Sequence, residues 1–162
     1  MKITVKDCLE LDIFKNCKIV AGKRNLENSV RTVSVMDAAD VETAVANNGV
    51  REQVVLTSFY AMKNDTLKQA QAVKELAACG IAALVVFHVS DVDREDYVQM
   101  IEIAEAMGMP LIFIPEGSDY GYADAIEQIM DKLLLGATFN NNLINNTIYH
   151  LLDFEKHKTF QA

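Results

Sequence analysis

The sequence predicts an α/β fold, in which a mostly parallel sheet is covered by helices on both faces. Three short apolar runs, at residues 54–56, 81–87 and 109–115, are each followed by a longer stretch with the periodicity of an amphipathic helix. Continuous apolar strands separated by helices are typical of a parallel sheet with right-handed crossovers. With 162 residues, 51% of them apolar, the chain can form one compact core. We therefore expect one domain over residues 1–136, followed by a tail over 137–162.

The first third of the chain contains shorter elements. Thr4 and Asp7 have the spacing of a capping box, which predicts a short helix that runs to Leu11. Two strands are expected at residues 18–21 and 31–36, because both segments are rich in β-branched and apolar side chains.

Helices are predicted where apolar residues recur with a period near 3.6, at about residues 40–46, 65–79, 94–107 and 123–135. Asp65 or Thr66 can cap the second of these, and Gly80 and Gly108 are placed to end the second and third in the left-handed conformation. The faces expected to be buried contain Leu67, Ala70, Val73 and Ala77 in the second helix and Ile126, Ile129, Met130 and Leu133 in the fourth.

Charge and motif content exclude several classes of function. The formal net charge of -8 would repel a phosphate backbone, so the chain by itself is expected to bind neither nucleic acid nor an anionic membrane. The three cysteines are scattered and fit no disulfide framework or zinc site, which favours a reducing cytoplasm. No signal peptide or run of about 18 apolar residues is present, so no membrane span is expected. Because the common nucleotide-cradle, nucleophile and zinc motifs are also missing, we expect neither a cofactor nor catalysis.

Polar residues follow each of the predicted parallel strands. They are Asp37 after the strand at 31–36, Thr57 and Ser58 after the next, and then His88 and Glu116. In open parallel sheets, ligands bind beyond the carboxyl ends of the strands, so these five side chains are candidates for a small-molecule site. An ordinary alternative remains for the two hydroxyls, since Ser and Thr often bond to a turn or cap the following helix.

Two further groups of polar residues have ordinary structural explanations. His88, Asp91 and Asp93 approach the composition of a metal site, but they also fit a solvated loop before a helix. Glu116 and Asp119 could form a carboxylate pair, although acidic residues before a helix also complement its dipole. Neither group predicts a metal or a catalytic site.

The tail over residues 137–162 begins with an Asn-rich segment of linker composition. Ile144, Ile148 and Leu151 then follow at alternating spacings of four and three, which is the apolar seam of a short coiled coil. Because a helix of this length is marginal alone, we expect it to pair with a second copy, to pack on its own domain or to continue into a further region. Pairing would make the protein a homo-oligomer.

Several segments in order resemble the N-terminal sensory domain of PucR-type regulators, the purine catabolism regulator-like family. They are TVKDCLEL, AGKRNL, VRTVSVMD, VVLTS and GMPLIFIP, and the likeness covers about residues 3–116. The resemblance implies a cytoplasmic transcription regulator, in which this domain senses a metabolite and performs no catalysis. It also implies that DNA is bound by a C-terminal helix-turn-helix absent from this chain, and that the metabolite is related to purines.

The chain departs from the family pattern next to the two hydroxyls. The family tends to show Gly-Gly-Glu before Leu-Val-Leu-Thr-Thr-Gly, whereas this sequence has Arg51-Glu52-Gln53 before the strand and Phe59 at the last glycine. Thr57, Ser58 and Asp37 keep the character of the family. Phe59 occupies space that a glycine would leave open.

These observations predict a ligand-sensing regulatory domain of a cytoplasmic transcription regulator. Two alternatives are a dimerisation or interaction module without a ligand and, with less support, a small-molecule enzyme. The ligand-sensing domain and the ligand-free module differ in whether the ends of the strands enclose an open pocket or are filled by Phe59 and Tyr60.

Overall fold

The computed structural model describes residues 2–36, 49–59, 62, 64–91 and 95–136. Its strands are β1 (Lys18–Ala21), β2 (Thr32–Val35), β3 (Gln53–Thr57), β4 (Ala83–Val89) and β5 (Leu111–Pro115). Its α-helices are α1 (Val5–Cys8), α2 (Thr66–Ala78), α3 (Val98–Met107) and α4 (residues 122–136), with short 3-10 helices at Asp12–Phe14, Lys23–Asn25 and Glu95–Tyr97. The α/β prediction is confirmed, and the predicted helix at 40–46 lies outside the described residues.

The five strands form one sheet in the order β1-β5-β4-β3-β2. Strands β2 to β5 are parallel to one another, while β1 runs antiparallel along β5. The register aligns Ser34, Val55, Leu84 and Leu111 in one row across the parallel strands. The carboxyl ends of β3, β4 and β5 therefore meet at the same edge of the sheet, as the sequence predicts.

Side chains that alternate along each strand build an apolar layer on each face of the sheet. Val55 and Leu84 face α2 and α3, while Val54 and Val85 face the side of α1 and α4. All four are buried. This burial on both faces explains why the strands read as continuous apolar runs.

The helix ends follow the predicted capping residues. The Thr4 hydroxyl accepts a hydrogen bond from the Asp7 N–H at 3.2 Å, and the Asp7 carboxylate accepts one from the Thr4 N–H at 2.9 Å. The capping box is thus confirmed, although α1 ends at Cys8 instead of continuing to Leu11. Asp65 caps α2 by accepting from the Lys68 N–H at 3.0 Å.

Two residues expected in the core are exposed. Leu67 is 71% exposed and Ile126 is 36% exposed, so their predicted burial is wrong. In α2 the buried face is centred on Gln69 and Val73, and Leu67 lies about 160° around the helix from Gln69 at 100° per residue. In α4 the buried positions include Ala125 and Ile129. The apolar pattern placed Ala70, Val73 and Ala77 of α2 correctly but missed Gln69, because a glutamine interrupts the apolar pattern of this face.

No helix in the described ranges combines the length and the apolar composition needed to cross a bilayer.

Candidate ligand-binding site

The carboxyl ends of β3, β4 and β5 open onto a cavity of about 480 Å³. The loops after these strands contribute its rim, while α2 and the 3-10 helix at Glu95–Tyr97 contribute its side. Such a position, beyond the ends of parallel strands, is where α/β proteins place their ligand sites.

Three of the residues proposed from the sequence line this cavity, each from a different strand end. They are Ser58 after β3, His88 near the end of β4 and Glu116 after β5. Asp37 lies outside the described residues, so its placement stays a prediction. The structure therefore brings together three side chains that are far apart in the sequence.

Thr57 has a different environment from Ser58. Its side chain is only 2% exposed, and its hydroxyl oxygen accepts a hydrogen bond from the Phe59 N–H at 3.1 Å. This is the turn contact of the alternative interpretation, and Thr57 is not among the residues that line the cavity. A ligand contact of Thr57 stays a prediction, while Ser58 is the hydroxyl that the cavity exposes.

The backbone at the cavity contains two non-glycine residues in the left-handed region. Phe59 has φ of 52° and His88 has φ of 62°. A bulge in β4 places Phe87 and His88 opposite Ile114 alone, which turns the His88 side chain out of the sheet. Left-handed backbone costs a non-glycine residue about 1 to 2 kcal/mol, and such strain concentrates at functional sites.

Aromatic rings form the apolar part of the cavity wall. Phe59, Phe87 and Tyr97 all line it. The Tyr97 ring meets the edge of Phe113 at a centroid distance of 5.1 Å, and Phe87 meets Tyr122 at 4.9 Å. The edge contact restrains the Tyr97 ring, which lies with Phe59 in the apolar layer on the α2 and α3 side of the sheet. The Phe87 ring instead packs in the layer on the α1 and α4 side.

Gln69 is a lining residue that the sequence reasoning missed. It is 6% exposed, and its side-chain N–H donates to the carbonyl oxygen of Met62 at 2.8 Å. Its carboxamide oxygen is buried and has no hydrogen-bond partner in the part of the chain that the structure describes. The available signal was spacing, since Gln69 lies in line with Ala72, Val73 and Leu76 on the helix.

The charges at the cavity are acidic. Asp96 and Glu116 line it, and its described lining residues include no lysine or arginine. Over the described ranges, no group of three or more His, Cys, Asp or Glu side chains is placed to hold a metal ion. Asp93, the last member of the weak metal motif, lies outside these ranges.

The fold and cavity define an α/β domain with a pocket at the carboxyl end of a mostly parallel sheet. The model of the purine catabolism regulatory protein-like family matches residues 7–133, and the chain belongs to this family. A curated relative is the purine catabolism regulatory protein of Bacillus subtilis (strain 168), which is 24% identical over 163 residues. That match covers 99% of this chain and 25% of the relative, so the chain spans about a quarter of the relative's length.

A solved structure that this chain partly matches is the regulatory region of Clostridium perfringens pyrophosphatase. It contains CBS and DRTGG domains and was crystallised with its activator, diadenosine tetraphosphate. The two chains are 14% identical with a TM-score of 0.46, and the match covers 77% of this chain and 44% of the other.

The family assignment confirms the resemblance seen in the sequence and indicates a regulatory domain. A regulatory family also implies a role other than catalysis. Phe59 carries an aromatic side chain at φ of 52°, in the backbone region that favours glycine.

Proposed function

We propose that this chain is the ligand-sensing domain of a transcription regulator and that its cavity binds a small metabolite related to purines. The observation that carries the proposal is that Ser58, His88 and Glu116 line one cavity, although they come from the ends of three different strands. A hydroxyl, an imidazole and a carboxylate supply both donors and acceptors at the rim, while aromatic rings form the wall.

The cavity favours a sensing role over a ligand-free interaction module. Phe59 is 3% exposed and contributes to the wall, yet a cavity of about 480 Å³ is present beside it. This volume falls within the range of about 300 to 1,000 Å³ that is common for small-molecule sites. The names of the family and of the Bacillus subtilis relative support a purine-related ligand.

The whole regulator is proposed to have further parts. We place the sensory domain at residues 1–136 and a linker and helical tail at 137–162, and we assign DNA binding to a C-terminal helix-turn-helix absent from this chain. A cytoplasmic regulator of this kind needs no membrane contact. The net charge of -8 supports this division, because an acidic domain is poorly suited to bind DNA itself.

Self-association is proposed through the tail, since Ile144, Ile148 and Leu151 have the spacing of a coiled-coil seam. Sedimentation equilibrium of the chain and of its Ile148→Asp variant would test this. We expect the charged side chain to lower the mass of the oligomer, and an unchanged mass would disprove the pairing.

A thermal-shift screen tests the sensing proposal. Adenine, guanine, hypoxanthine, xanthine and uric acid would each be added to the purified chain, and a base that binds the folded state should raise Tm further as its concentration exceeds Kd. The affinity of that base should fall about tenfold or more in Ser58→Ala, His88→Ala or Glu116→Gln, because the first two variants remove a polar side chain from the cavity and the third removes its negative charge.

Glu102→Gln is the matched control for Glu116→Gln, since Glu102 is exposed on α3 and does not line the cavity. It should leave the affinity unchanged. If a base binds the wild-type chain and all three cavity variants equally well, the site lies elsewhere and the proposal is wrong.

A further inference from the structure

The carboxamide of Gln69 is the most unusual polar group in the cavity. It lies in α2 with 6% of its surface exposed, and its N–H group is held by the Met62 carbonyl oxygen at 2.8 Å. This bond fixes the orientation of the amide, so the atom left without a partner is the oxygen, which is a hydrogen-bond acceptor. The oxygen has no partner within the described ranges, although buried carboxamide oxygens are ordinarily satisfied.

Gln53 provides a comparison at the opposite end of the sheet. It is 9% exposed, its N–H group donates to the Gly49 carbonyl oxygen at 2.6 Å, and its oxygen is also without a partner in the described part of the chain. Gln53 is not among the residues that line the cavity, whereas Gln69 is. The orphaned acceptor at Gln53 is only a cost, whereas Gln69 borders the cavity, so a ligand that displaces the atoms covering its oxygen can satisfy it.

The surroundings of Gln69 indicate the chemistry of that molecule. The rings of Phe59 and Tyr97 suit a flat ligand, while Asp96 and Glu116 oppose a negative charge. An acceptor fixed in an apolar wall requires a donor such as a ring N–H. These features together describe a flat, uncharged heterocycle with an N–H group.

We infer, on the basis of the proposed function, that Gln69 determines ligand specificity: its side-chain oxygen accepts a hydrogen bond from a lactam N–H of an uncharged purine base. The same cavity rejects the corresponding nucleotide, because its acidic rim repels the phosphate. Selectivity against a base that lacks this N–H follows, since such a base leaves the Gln69 oxygen buried and unpaired.

Calorimetric titration with xanthine, at a mildly acidic pH where xanthine is neutral, tests the inference. Gln69→Met keeps the length of the side chain but removes the acceptor, so the affinity should fall about tenfold or more. Gln53→Met loses the same kind of hydrogen bond at the other end of the sheet and should leave the affinity unchanged. Gln71→Met, at an exposed position on the same helix, is the surface control.

Methylated xanthines provide a second measurement that needs no variant of the protein. Because 1- and 3-methylxanthine each lack one lactam N–H, we expect one of them to bind the wild-type chain about tenfold or more weakly than xanthine, while 7-methylxanthine, which keeps both lactam N–H groups, is the methylated control. The methyl group that weakens binding to the wild type should have little further effect in Gln69→Met. Xanthosine 5′-monophosphate should also bind about tenfold or more weakly than xanthine.

The outcomes separate this inference from the proposed function. If Ser58→Ala weakens xanthine binding and Gln69→Met does not, the cavity is the site but Gln69 does not read the ligand. If both 1- and 3-methylxanthine bind as tightly as xanthine, the inference is likewise wrong even if Gln69→Met fails to fold. If neither xanthine nor any other base of the screen binds the wild-type chain, both proposals fall together.

Discussion

The two ends of the parallel sheet place different kinds of residue at left-handed backbone positions. At the amino end, where β4 and β5 begin, left-handed positions are occupied by Gly22, Gly80 and Gly108. At the carboxyl end they are occupied by Phe59 and His88, which line the cavity. Glycine avoids backbone strain at the amino end, which favours stability, whereas Phe59 and His88 retain strain at the carboxyl end. Such strain concentrates at functional sites.

The amino end is tightly joined around Gly22. Its N–H donates to the Glu105 carboxylate at 2.7 Å, and a Cβ at this position would overlap the backbone of Met109 and Pro110. Asn25 donates from its side chain to the Gly108 carbonyl oxygen at 2.5 Å. These contacts fasten the end of β1 to the turn between α3 and β5.

The division has one exception at each end. Glu52 has φ of 60° near the start of β3, and Gly117 has φ of 83° after β5. The N–H of Glu52 donates to the Gly80 carbonyl oxygen at 2.9 Å, which holds its turn in place. Gly117 has open space around the position of a Cβ, in contrast to the crowded Gly22. The exceptions make it possible to separate strain from crowding by experiment.

The largest effect is expected for Gly22→Ala. Left-handed backbone should cost about 1 to 2 kcal/mol and the overlap with Met109 and Pro110 about 1 to 3 kcal/mol more, giving a loss near 4 kcal/mol. Gly117→Ala has the strain without the overlap and should lose about 1 to 2 kcal/mol. Urea unfolding of both variants measures the difference, and equal losses would show that the crowding at Gly22 is relieved by small shifts.

The next effect is a pH dependence near the amino end, in α1. Burial raises the pKa of the Cys8 thiol from its usual 9.0 to about 11. Between these values the unfolded chain has lost a proton that the folded chain retains, so the thiol's contribution to stability is complete below pH 9 and is lost as the pH rises through about 11. The loss amounts to about 2 to 3 kcal/mol.

Unfolding free energies of the wild type and of Cys8→Ala, compared between pH 9 and 11, check this prediction. Other groups titrate in both proteins and cancel in the comparison, including Cys17, whose pKa is also raised by burial. The wild type should lose more stability over this range than the variant. Parallel curves would mean that the Cys8 thiolate is tolerated in the folded state.

The sequence predicted most of the sheet, because apolar runs and glycine stops reflect local rules that the fold does not override. It also predicted that Ser58, His88 and Glu116 would meet, since parallel strands bring their carboxyl ends to one edge. It did not predict that Gln69 lines the cavity, and it left open whether the Thr57 hydroxyl bonds to the turn or faces a ligand. Whether a hydroxyl closes a turn or faces a cavity, and whether a glutamine is buried, depends on three-dimensional packing that periodicity does not encode.

The smallest expected effect is a difference in stability of about 1 kcal/mol between two replacements of Phe59, at the carboxyl end. Replacing it with alanine removes a buried ring, at a cost of about 3 kcal/mol, but keeps a left-handed residue with a Cβ. Replacing it with glycine removes the same ring and also relieves about 1 to 2 kcal/mol of backbone strain. Glycine ordinarily destabilises a folded chain relative to alanine by about 0.5 to 1 kcal/mol, so the expected order here is the reverse of the usual one.

Urea unfolding should therefore show Phe59→Gly losing about 2 kcal/mol and Phe59→Ala about 3 kcal/mol relative to the wild type. Gly117 offers the reciprocal control, because Gly117→Ala should destabilise at a left-handed position with open space around it. If Phe59→Ala is as stable as Phe59→Gly, the turn relaxes out of the left-handed region and the glycine of the family pattern needs another explanation. If glycine is preferred, the strain at the cavity is real, and the aromatic ring is retained there against the preference of the backbone.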